Sequence, residues 1–425
     1  MLDIQFIRDQ RDRVVDAVAK KRIELDVAQL LELDETRRAL VTRRDDLLAE
    51  RNRLSIDEAK VRGPVLKAEL AKLEPKLAVT QTMFDELMFK VPQIPASDAP
   101  VGGEESNREI KRVGEPTKFH FQPKDHIELG TSLDLLDIER GAKVSGFRGY
   151  YLKNEAVLLH YGLMQLALEM MRARGFTLMV PPTKVRESAL IGSGQFPAFR
   201  PETYQVGNAA RLNDESEREP EYLVGTAEPS LLAYHAERTL PTTELPVKLC
   251  GISPCYRSEI GSYGKDSRGL YRIHEFLKVE QVVLCAADDA EQQRYFNELL
   301  GVAEQLLSDL ELPYRVLDVA TGDMGPGKVR QHDIETWMPS RKGYGETHSC
   351  SMLGDWQARR LGIKYVDAAG ERRYVYTLNN TVVASPRILI ALLENHQQED
   401  GSVRIPNVLQ SYVGTSVLHP TRPSA

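Results

Sequence analysis

The first ninety residues repeat apolar positions at heptad spacing. Leucines recur every seven residues between positions 33 and 54, and a second apolar run follows from Leu66 to Val91, mostly at steps of three and four residues. This spacing puts the apolar side chains on one seam of a helix, through which coiled-coil helices pack. Between the runs, Gly63 permits a turn and Pro64 suits the first position of a helix. The pattern predicts two helices folded back as an antiparallel coiled-coil hairpin.

The remainder of the chain mixes helical and β-type patterns, beyond a linker at 91–105 that is rich in proline, glycine and acidic residues. The β-rich runs do not alternate regularly with helices, as the strands of a parallel sheet would. We therefore expect an α+β fold, in which an N-terminal coiled-coil arm with its linker (1–105) precedes an antiparallel β-sheet domain with flanking helices (106–425). The predicted helices are Glu155–Arg174 and Asp289–Leu310, and the predicted strands are Val247–Cys250, Val279–Leu284, Tyr314–Val319, Asp333–Trp337 and Tyr374–Leu378.

Composition narrows the function classes. The chain has 425 residues, of which 42% are hydrophobic and 28% charged, which is typical of a globular protein with more than one core. Its 62 acidic residues outnumber 55 basic ones, which disfavours a DNA-coating protein. Its four cysteines form no CxxC pair, so neither a disulfide scaffold nor a zinc knuckle is expected. The N-terminal segment lacks the continuous apolar core of a signal peptide or membrane anchor, and we expect a cytoplasmic protein without membrane contact.

The tip of the predicted arm departs from the acidic average. Between Arg51 and Lys72 there are six basic and three acidic side chains. Phosphate backbones favour such a patch because binding releases counterions. A dimerisation coiled coil with a solvated charged face is the alternative interpretation. The residues of interest for nucleic-acid binding are Arg51, Arg53, Lys60 and Arg62.

The segment from Cys255 to Leu284 carries the most chemistry. Arg257 and Glu259 are two residues apart and share one face of a strand. After a loop rich in glycine and basic residues, a second run alternates polar and apolar positions. Paired as a hairpin, the two strands offer arginines to phosphates, an aromatic ring to a base and carboxylates to an ammonium group. An exposed, salt-bridged hairpin is the alternative. The second strand's face comprises Arg272, His274, Phe276, Lys278 and Glu280.

Two further features bear on nucleotide binding. Gly322–Lys328 has the glycine and lysine spacing of a phosphate loop, but Val329 follows where a hydroxyl would be needed. We interpret it as a coincidental glycine-rich turn. Ser385 and Pro386 suit the start of a helix, which places Arg387 where the helix dipole disfavours a cation. A bound triphosphate would resolve that conflict, and a surface pair with an acid is the alternative.

Together these segments resemble the three signature motifs of class II aminoacyl-tRNA synthetases. The motif 1 segment is Gly175–Pro182, motif 2 is the hairpin with Arg257 and Arg272, and motif 3 is the Arg387 helix. Family-specific segments extend the resemblance to the whole chain, which is similar to the seryl-tRNA synthetase family. These segments are Thr226–Glu228, Lys278–Glu280, Asp355–Arg360 and the N-terminal hairpin.

The resemblance implies a ligase that activates L-serine with ATP and Mg²⁺ and transfers it to tRNA(Ser), and to tRNA(Sec) where that is present. It also implies a homodimer joined through motif 1 and a tRNA-binding arm. By position, the expected catalytic residues are Arg257, Arg272 and Arg387. The expected serine-binding residues are Thr226, Ala227, Glu228, Glu280, Asn379 and Thr381. The expected ATP-binding residues are Arg257, Ser258, Glu259, Arg272, Ile273, Phe276, Glu346, Thr347, His348, Ser349 and Arg387, with Glu346 and Ser349 as metal ligands.

Some positions depart from the family pattern. The family commonly has Glu-x-Ser-Ser-Cys-Ser-Asn where this chain has His348 and Met352, and Asn380 replaces a frequent glycine. His348 could be a metal ligand or proton shuttle, although a packing role is the simpler interpretation. Two other functions stay open: an enzyme that delivers serine to a metabolite or carrier protein, and a catalytically inactive coiled-coil binding module.

Overall fold

The computed structural model describes residues 1–207, 219–260 and 269–420, and the chain divides into two compact units, Met1–Ile94 and Pro95–Ala425. The linker segment is divided between the units: residues 91–94 belong to the first unit, and the residues from Pro95 onward belong to the second. The amide of Ala96 donates to the carbonyl of Val329 at 2.8 Å. Ala99 packs against Val319 and Met324.

The first unit is helical and confirms the predicted coiled-coil arm. Two long helices pack against each other through Leu47, Leu66 and Leu70 near one end. At the other end, Phe84 and Met88 join a cluster with the two short N-terminal helices. The helices are α1 (Ile4–Asp9), α2 (Arg11–Lys20), α3 (Val27–Arg53) and α4 (Ile56–Lys90).

The position predicted for the turn of the arm is wrong. Gly63 and Pro64 lie inside α4, and the chain reverses at Leu54 and Ser55. Ser55 and Glu58 form a capping box, in which the Ser55 amide donates to Glu58 Oε2 at 2.8 Å. Because a capping box satisfies amides that the first helical turn leaves without partners, it fixes the start of α4 at Ile56, seven residues before the glycine.

The second unit is built on one large, mostly antiparallel sheet, as predicted. Its order is β1-β11-β12-β13-β16-β10-β9-β4, and within this sheet, as described, only β4 runs parallel to its neighbour. The strands in chain order are β1 (Arg108–Val113), β2 (Leu136–Asp137), β3 (Tyr151–Leu152), β4 (Thr177–Met179), β5 (Lys184–Arg186), β6 (Gln205–Val206), β7 (Glu221–Leu223), β8 (Thr239–Pro241), β9 (Val247–Tyr256), β10 (Glu275–Cys285), β11 (Tyr314–Asp318), β12 (Arg330–Met338), β13 (Gly343–Gly354), β14 (Lys364–Val366), β15 (Arg372–Tyr374), β16 (Tyr376–Ala384), β17 (Val403–Arg404) and β18 (Val417–Leu418).

All five predicted strands are present, with longer or shifted bounds, and β9 and β10 pair as the predicted hairpin with Glu275 opposite Tyr256. The sequence prediction missed β13, which lies in the middle of the sheet. Its sequence, GYGETHSCSMLG, contains glycines and small polar residues with low β propensity. It is a strand because β12 and β16 pair with it on both sides.

Helices cover one face of the sheet and leave a polar area on the other. Val279 and Val283 of β10 pack into the main core with Phe296 and Leu299 of α10. Glu280 and Val282 point to the opposite face, since side chains alternate along a strand. Among the described residues, no helix is both long and apolar enough to span a bilayer. The helices of this unit are α5 (His126–Ser132), α6 (Ile138–Ser145), α7 (Glu155–Ala173), α8 (Glu187–Ser193), α9 (Glu228–Ala233), α10 (Asp289–Asp309), α11 (Trp356–Leu361), α12 (Ser385–Asn395) and α13 (Asn407–Val413).

Candidate active site

The polar face of the sheet forms the floor of a cavity of about 520 Å³. Strand register arranges its side chains in two rows across four strands. Asp333 lies opposite Ser349, and Thr381 lies opposite Glu280. In the neighbouring row, Ser351 lies opposite both Gln331 and Asn379. Residues separated by up to 101 positions in sequence, as Glu280 and Thr381 are, thus share one polar surface.

Glu228 stands at the start of α9 and faces this floor. Its Oε1 accepts hydrogen bonds from Asn379 Nδ2 and from Gln357 Nε2, both at 2.7 Å. Burial raises the pKa of the Glu228 carboxyl, the bond from Gln357 opposes this, and the negative charge of Glu280 adds to it. A carboxylate fixed in orientation but short of positive charge suits a cationic ligand group. Ala227, beside it, is buried in the packing of α9 against the sheet.

Lys278 links two of the predicted serine-binding residues, Thr226 and Glu280. Its ammonium donates to Thr226 Oγ1 at 2.7 Å and forms an ion pair with Glu280 Oε2. The side chains of Lys278 and Glu280 are only 7% and 4% exposed. The sequence placed Lys278 on the correct strand face but gave it no role. Its burial between two predicted ligands is a result of the tertiary fold.

A second, smaller cavity adjoins the first and collects much of the predicted nucleotide site. The two cavities share Arg257, Lys278, Glu346, Ser349 and Thr381 in their walls. The smaller one is lined in addition by Glu259, Ile273, Phe276, Thr347, His348 and Arg387.

The predicted arginines occupy different places around this cavity. The guanidinium carbon of Arg257 lies 5.4 Å from the centre of the Phe276 ring. Arg272 lies beside the cavity, and its Nη1 donates to Glu259 Oε2 at 3.0 Å. Ser258 is held by its own amide, which donates to the carbonyl of Glu202 at 3.0 Å.

Arg387 has an acidic partner at the start of α12. Its Nη1 donates to the carbonyl oxygen of Glu346 at 2.6 Å and to Glu346 Oε2 at 3.2 Å. Burial opposes ionisation of Glu346, but the charges of Arg387 and Arg257 outweigh it and lower the pKa of this carboxyl. An acid therefore lies beside Arg387 at the start of this helix, while the guanidinium also lines the smaller cavity, so both interpretations of the helix-dipole conflict stay open.

The predicted metal ligands sit near a further carboxylate. Ser349 and Glu346 line both cavities, and the side chain of Glu346 is half exposed. Burial and the charge of Glu346 raise the pKa of Asp333 to about 7. Within the described ranges, no three or more His, Cys, Asp or Glu side chains lie close enough together to hold a metal ion by themselves. A carboxylate and a hydroxyl oxygen nevertheless fit a hard cation that takes its other ligands from phosphates.

His348 is a buried neutral side chain. Burial lowers its pKa to about 4. Its Nδ1 is 2.9 Å from Thr347 Oγ1 and its Nε2 is 3.1 Å from the carbonyl oxygen of Val382. With both ring nitrogens bound inside the protein, the packing interpretation is favoured over a metal ligand or proton shuttle.

Asn380 points to the opposite side of the sheet. Its Nδ2 donates to the carbonyl oxygen of Leu299 in α10 at 2.8 Å. Gln281 Nε2 donates to the same oxygen at 3.0 Å. This departure from the family pattern therefore contacts the helix layer and not the cavity.

The glycine-rich turn contributes to the site in a way that its sequence did not indicate. Asp323–Lys328 forms part of the wall of the larger cavity. Lys328 Nζ donates to Gln331 Oε1 at 2.8 Å, and Gln331 Nε2 donates to both carboxylate oxygens of Asp333 at 2.8 and 3.0 Å. The motif's spacing drew attention to it, but only its location shows that it borders the candidate amino-acid pocket.

The four basic residues of the predicted tRNA patch lie at the paired ends of α3 and α4. Arg51 and Arg53 are exposed in the last turn of α3. Lys60 pairs with Asp57 at 2.8 Å, and Arg62 pairs with Glu50 at 2.6 Å. They belong to the first unit and are not part of the two cavities.

Comparison with known proteins gives the family. Residues 1–95 match the Seryl-tRNA synthetase N-terminal domain, and residues 210–396 match the tRNA synthetase class II core domain (G, H, P, S and T). The serine–tRNA ligase of Deinococcus radiodurans is 44% identical, over 97% of this chain and 98% of the relative.

The chain belongs to the seryl-tRNA synthetase family.

Other relatives of this family agree along the whole length. The serine–tRNA ligase of Rubrobacter xylanophilus is 39% identical over 99% of this chain and all of the relative. The seryl-tRNA synthetase of Pyrococcus horikoshii, solved in complex with ATP, superposes with a TM-score of 0.88 at 34% identity, covering 99% of this chain and 100% of the other. The cytoplasmic enzyme of Naegleria fowleri, solved with AMP, gives a TM-score of 0.85 at 28% identity, covering 99% of each chain. The family and the class II fold predicted from sequence are therefore confirmed.

Proposed function

We propose that this member of the seryl-tRNA synthetase family activates L-serine with ATP and then transfers the seryl group to tRNA(Ser). The observation that carries the proposal is the shared wall of the two cavities. A carboxylate-lined pocket opens directly onto an arginine-lined one, with Arg257 and Lys278 common to both. Two substrates that react with each other must be held in adjacent sites of complementary charge.

The larger cavity suits serine. Glu228 is held by Asn379 and Gln357, and we assign it to the substrate ammonium group. Glu280, Thr226 and Thr381 surround the same space and would bind the hydroxyl group. A site built to pair a hydroxyl discriminates strongly against alanine, since its buried polar atoms would otherwise lose their partner.

In the first step, a serine carboxylate oxygen attacks the α-phosphorus of ATP and displaces pyrophosphate. Arg257 would neutralise charge at the α-phosphate, and Arg387 and Arg272 at the departing phosphates. Phe276 offers its ring to the adenine base, and Glu259 lies near enough to Arg272 to orient it. Magnesium held by Glu346 and Ser349 would supply further neutralisation of phosphate charge. No side chain need form a covalent intermediate.

In the second step, the terminal 3′-hydroxyl of tRNA attacks the carbonyl carbon of the seryl-adenylate, and AMP leaves. We assign residues 1–105 to tRNA binding and 106–425 to aminoacylation. Arg51 and Arg53 are exposed at the arm's end and would contact phosphates of the tRNA. The same reaction would serylate tRNA(Sec) where that tRNA is present.

We further propose a homodimer, joined through the motif 1 region. Tyr161 on α7 is 61% exposed, and Val180, directly after β4, is 85% exposed. Leu158 and Leu178 add to this apolar surface, and α7 contacts β4. Large apolar side chains grouped on two neighbouring elements are typical of a subunit interface.

The four buried free cysteines fit a reducing compartment, and we propose the cytoplasm.

Amino-acid-dependent ATP–pyrophosphate exchange, followed by charging of total tRNA, tests the proposal. Serine-dependent exchange and seryl-tRNA formation are expected. Exchange without charging would favour delivery of serine to a metabolite or carrier protein. Absence of exchange with every amino acid would favour an inactive binding module. Deletion of residues 34–89 should leave exchange intact and abolish charging, and unchanged charging would exclude the arm as the tRNA-binding element.

A further inference from the structure

A buried hydrogen-bond network lies outside the two cavities, around Glu394 in the last turn of α12. The Glu394 side chain is fully buried. Its Oε1 accepts from the amide of His126 at 3.0 Å, from His126 Nδ1 at 2.8 Å and from Ser340 Oγ at 2.8 Å, and its Oε2 accepts from the Ser340 amide at 2.9 Å. Because a buried carboxylate is costly without such partners, the start of α5 and the turn before β13 are both held against α12.

The other side of the His126 ring meets the end of the motif 2 loop. Its Nε2 is 3.2 Å from the amide nitrogen of Leu270. A backbone amide can only donate, so Nε2 carries no proton and Nδ1 carries the one that faces Glu394. The preceding Gly269 has a φ of +80°, and a Cβ there would lie 2.2 Å from Nε2. The packing against the ring therefore admits glycine alone at this position.

The segment that follows Gly269 also contacts Arg387, which lines the smaller cavity. Arg387 Nε donates to the carbonyl oxygen of Tyr271 at 3.2 Å, and its guanidinium carbon lies 4.4 Å from the centre of the Tyr271 ring. Arg387 and Glu394 are seven residues apart, which puts them on one face of α12. The C-terminal end of α12 is thus tied to Leu270 through Glu394 and His126. Its N-terminal end is tied to the next residue, Tyr271, directly through Arg387. Arg272 follows immediately.

We propose that His126 and Glu394 are positioning residues for the nucleotide site. They hold Leu270 and Tyr271 against α12, so that Arg272 and Arg387 keep their places beside the smaller cavity. The assignment of that cavity to ATP rests on the proposed function. The predicted effect is specific to ATP, because the network touches neither Glu228 nor the other predicted serine ligands among the described contacts.

Two substitutions at one position separate the two halves of the network. In His126→Gln, the side-chain oxygen can still accept from Leu270, while the bond to Glu394 is lost. In His126→Asn, the shorter amide can still donate to Glu394 but cannot reach Leu270. Measured by serine-dependent pyrophosphate exchange, His126→Asn should raise the KM for ATP about five-fold, the effect of one lost neutral hydrogen bond. His126→Gln should stay within about two-fold of wild type, and the KM for serine should change less than two-fold in both.

Amide hydrogen exchange gives a readout that is independent of catalysis. Protection of the Leu270 amide should be lost in His126→Asn and kept in His126→Gln. Gly269→Ala provides a second route, since a Cβ 2.2 Å from Nε2 must separate this segment from the His126 ring, and it should also raise the KM for ATP. Equal ATP effects of the two His126 variants, a parallel rise in the KM for serine, or unchanged Leu270 protection in His126→Asn would overturn the proposal. A wild-type protein without any exchange activity would instead refute the proposed function.

Discussion

The buried pair of Lys278 and Glu280 makes Lys278→Met the most informative substitution in the serine pocket. Methionine keeps the length and volume of the side chain but removes the ammonium group. It therefore leaves the Glu280 carboxylate, 4% exposed, without its ion-pair partner and removes the donor to Thr226 Oγ1. Both predicted ligands should lose their fixed orientation.

The magnitude follows from burial. Removing one member of a buried ion pair costs about 3–5 kcal/mol, because an unpaired charge stays behind. At about 2 °C per kcal/mol for a unit of this size, the melting temperature should fall by roughly 6–10 °C. Loss of two oriented contacts to serine, at about 1 kcal/mol each, should raise the KM for serine roughly thirty-fold.

The assays are thermal unfolding by circular dichroism and serine-dependent pyrophosphate exchange at saturating ATP. Lys111→Met is the matched control, because Lys111 pairs with Glu304 at 2.5 Å in the same unit while its side chain is 51% exposed. A pair of this kind contributes about 1 kcal/mol or less. If Lys278→Met has the same melting temperature as Lys111→Met and retains the wild-type KM for serine, the argument from the buried ion pair is refuted.

Three further predictions concern pH and the departures from the family pattern. The pKa of Glu228 is raised, so its carboxylate is protonated at a higher pH than usual and the KM for serine should rise on acidification. In the same exchange assay, Glu228→Gln should show a high KM for serine that depends little on pH. The pKa of His348 is lowered from 6.5 to about 4, so the unfolded chain binds its proton first and stability falls as pH decreases between these values. In urea unfolding, the free energy of unfolding of His348→Gln should therefore fall by about 3 kcal/mol less than that of wild type between pH 6.5 and 4. An identical fall in the two proteins would contradict the burial of a neutral ring. Asn380→Ala removes the bond to the Leu299 carbonyl and should cost about 1–2 kcal/mol in urea unfolding with an unchanged KM for serine, whereas a raised KM would place Asn380 in the pocket.

Local patterns were sufficient for much of the fold. The heptad leucines predicted the arm, and Leu47 and Leu66 indeed pack together within it. Alternation in β10 predicted which side chains share a face, and Lys278 and Glu280 are neighbours on it. Such features depend on residues a few positions apart, so the sequence carries them directly.

The errors arose where local signals compete or are weak. Gly63 and Pro64 suggested a turn, but the capping box at Ser55 and Glu58 determines where α4 begins. The glycines and small polar residues of β13 indicate a loop, and only pairing with β12 and β16 makes that segment a strand. Strand pairing between distant segments outweighs the low β propensity of a central strand.

By itself, the sequence determined the coiled-coil arm, the antiparallel sheet, the family resemblance and the identity of most candidate site residues. The tertiary structure alone decided which of them meet: that Lys278 is buried between Thr226 and Glu280, and that the glycine-rich turn borders the larger cavity. It also joined His126 to Glu394 across 268 positions. The reason is physical, since periodicity records which face a residue occupies, whereas burial, charge pairing and pKa depend on partners that the chain brings from far away.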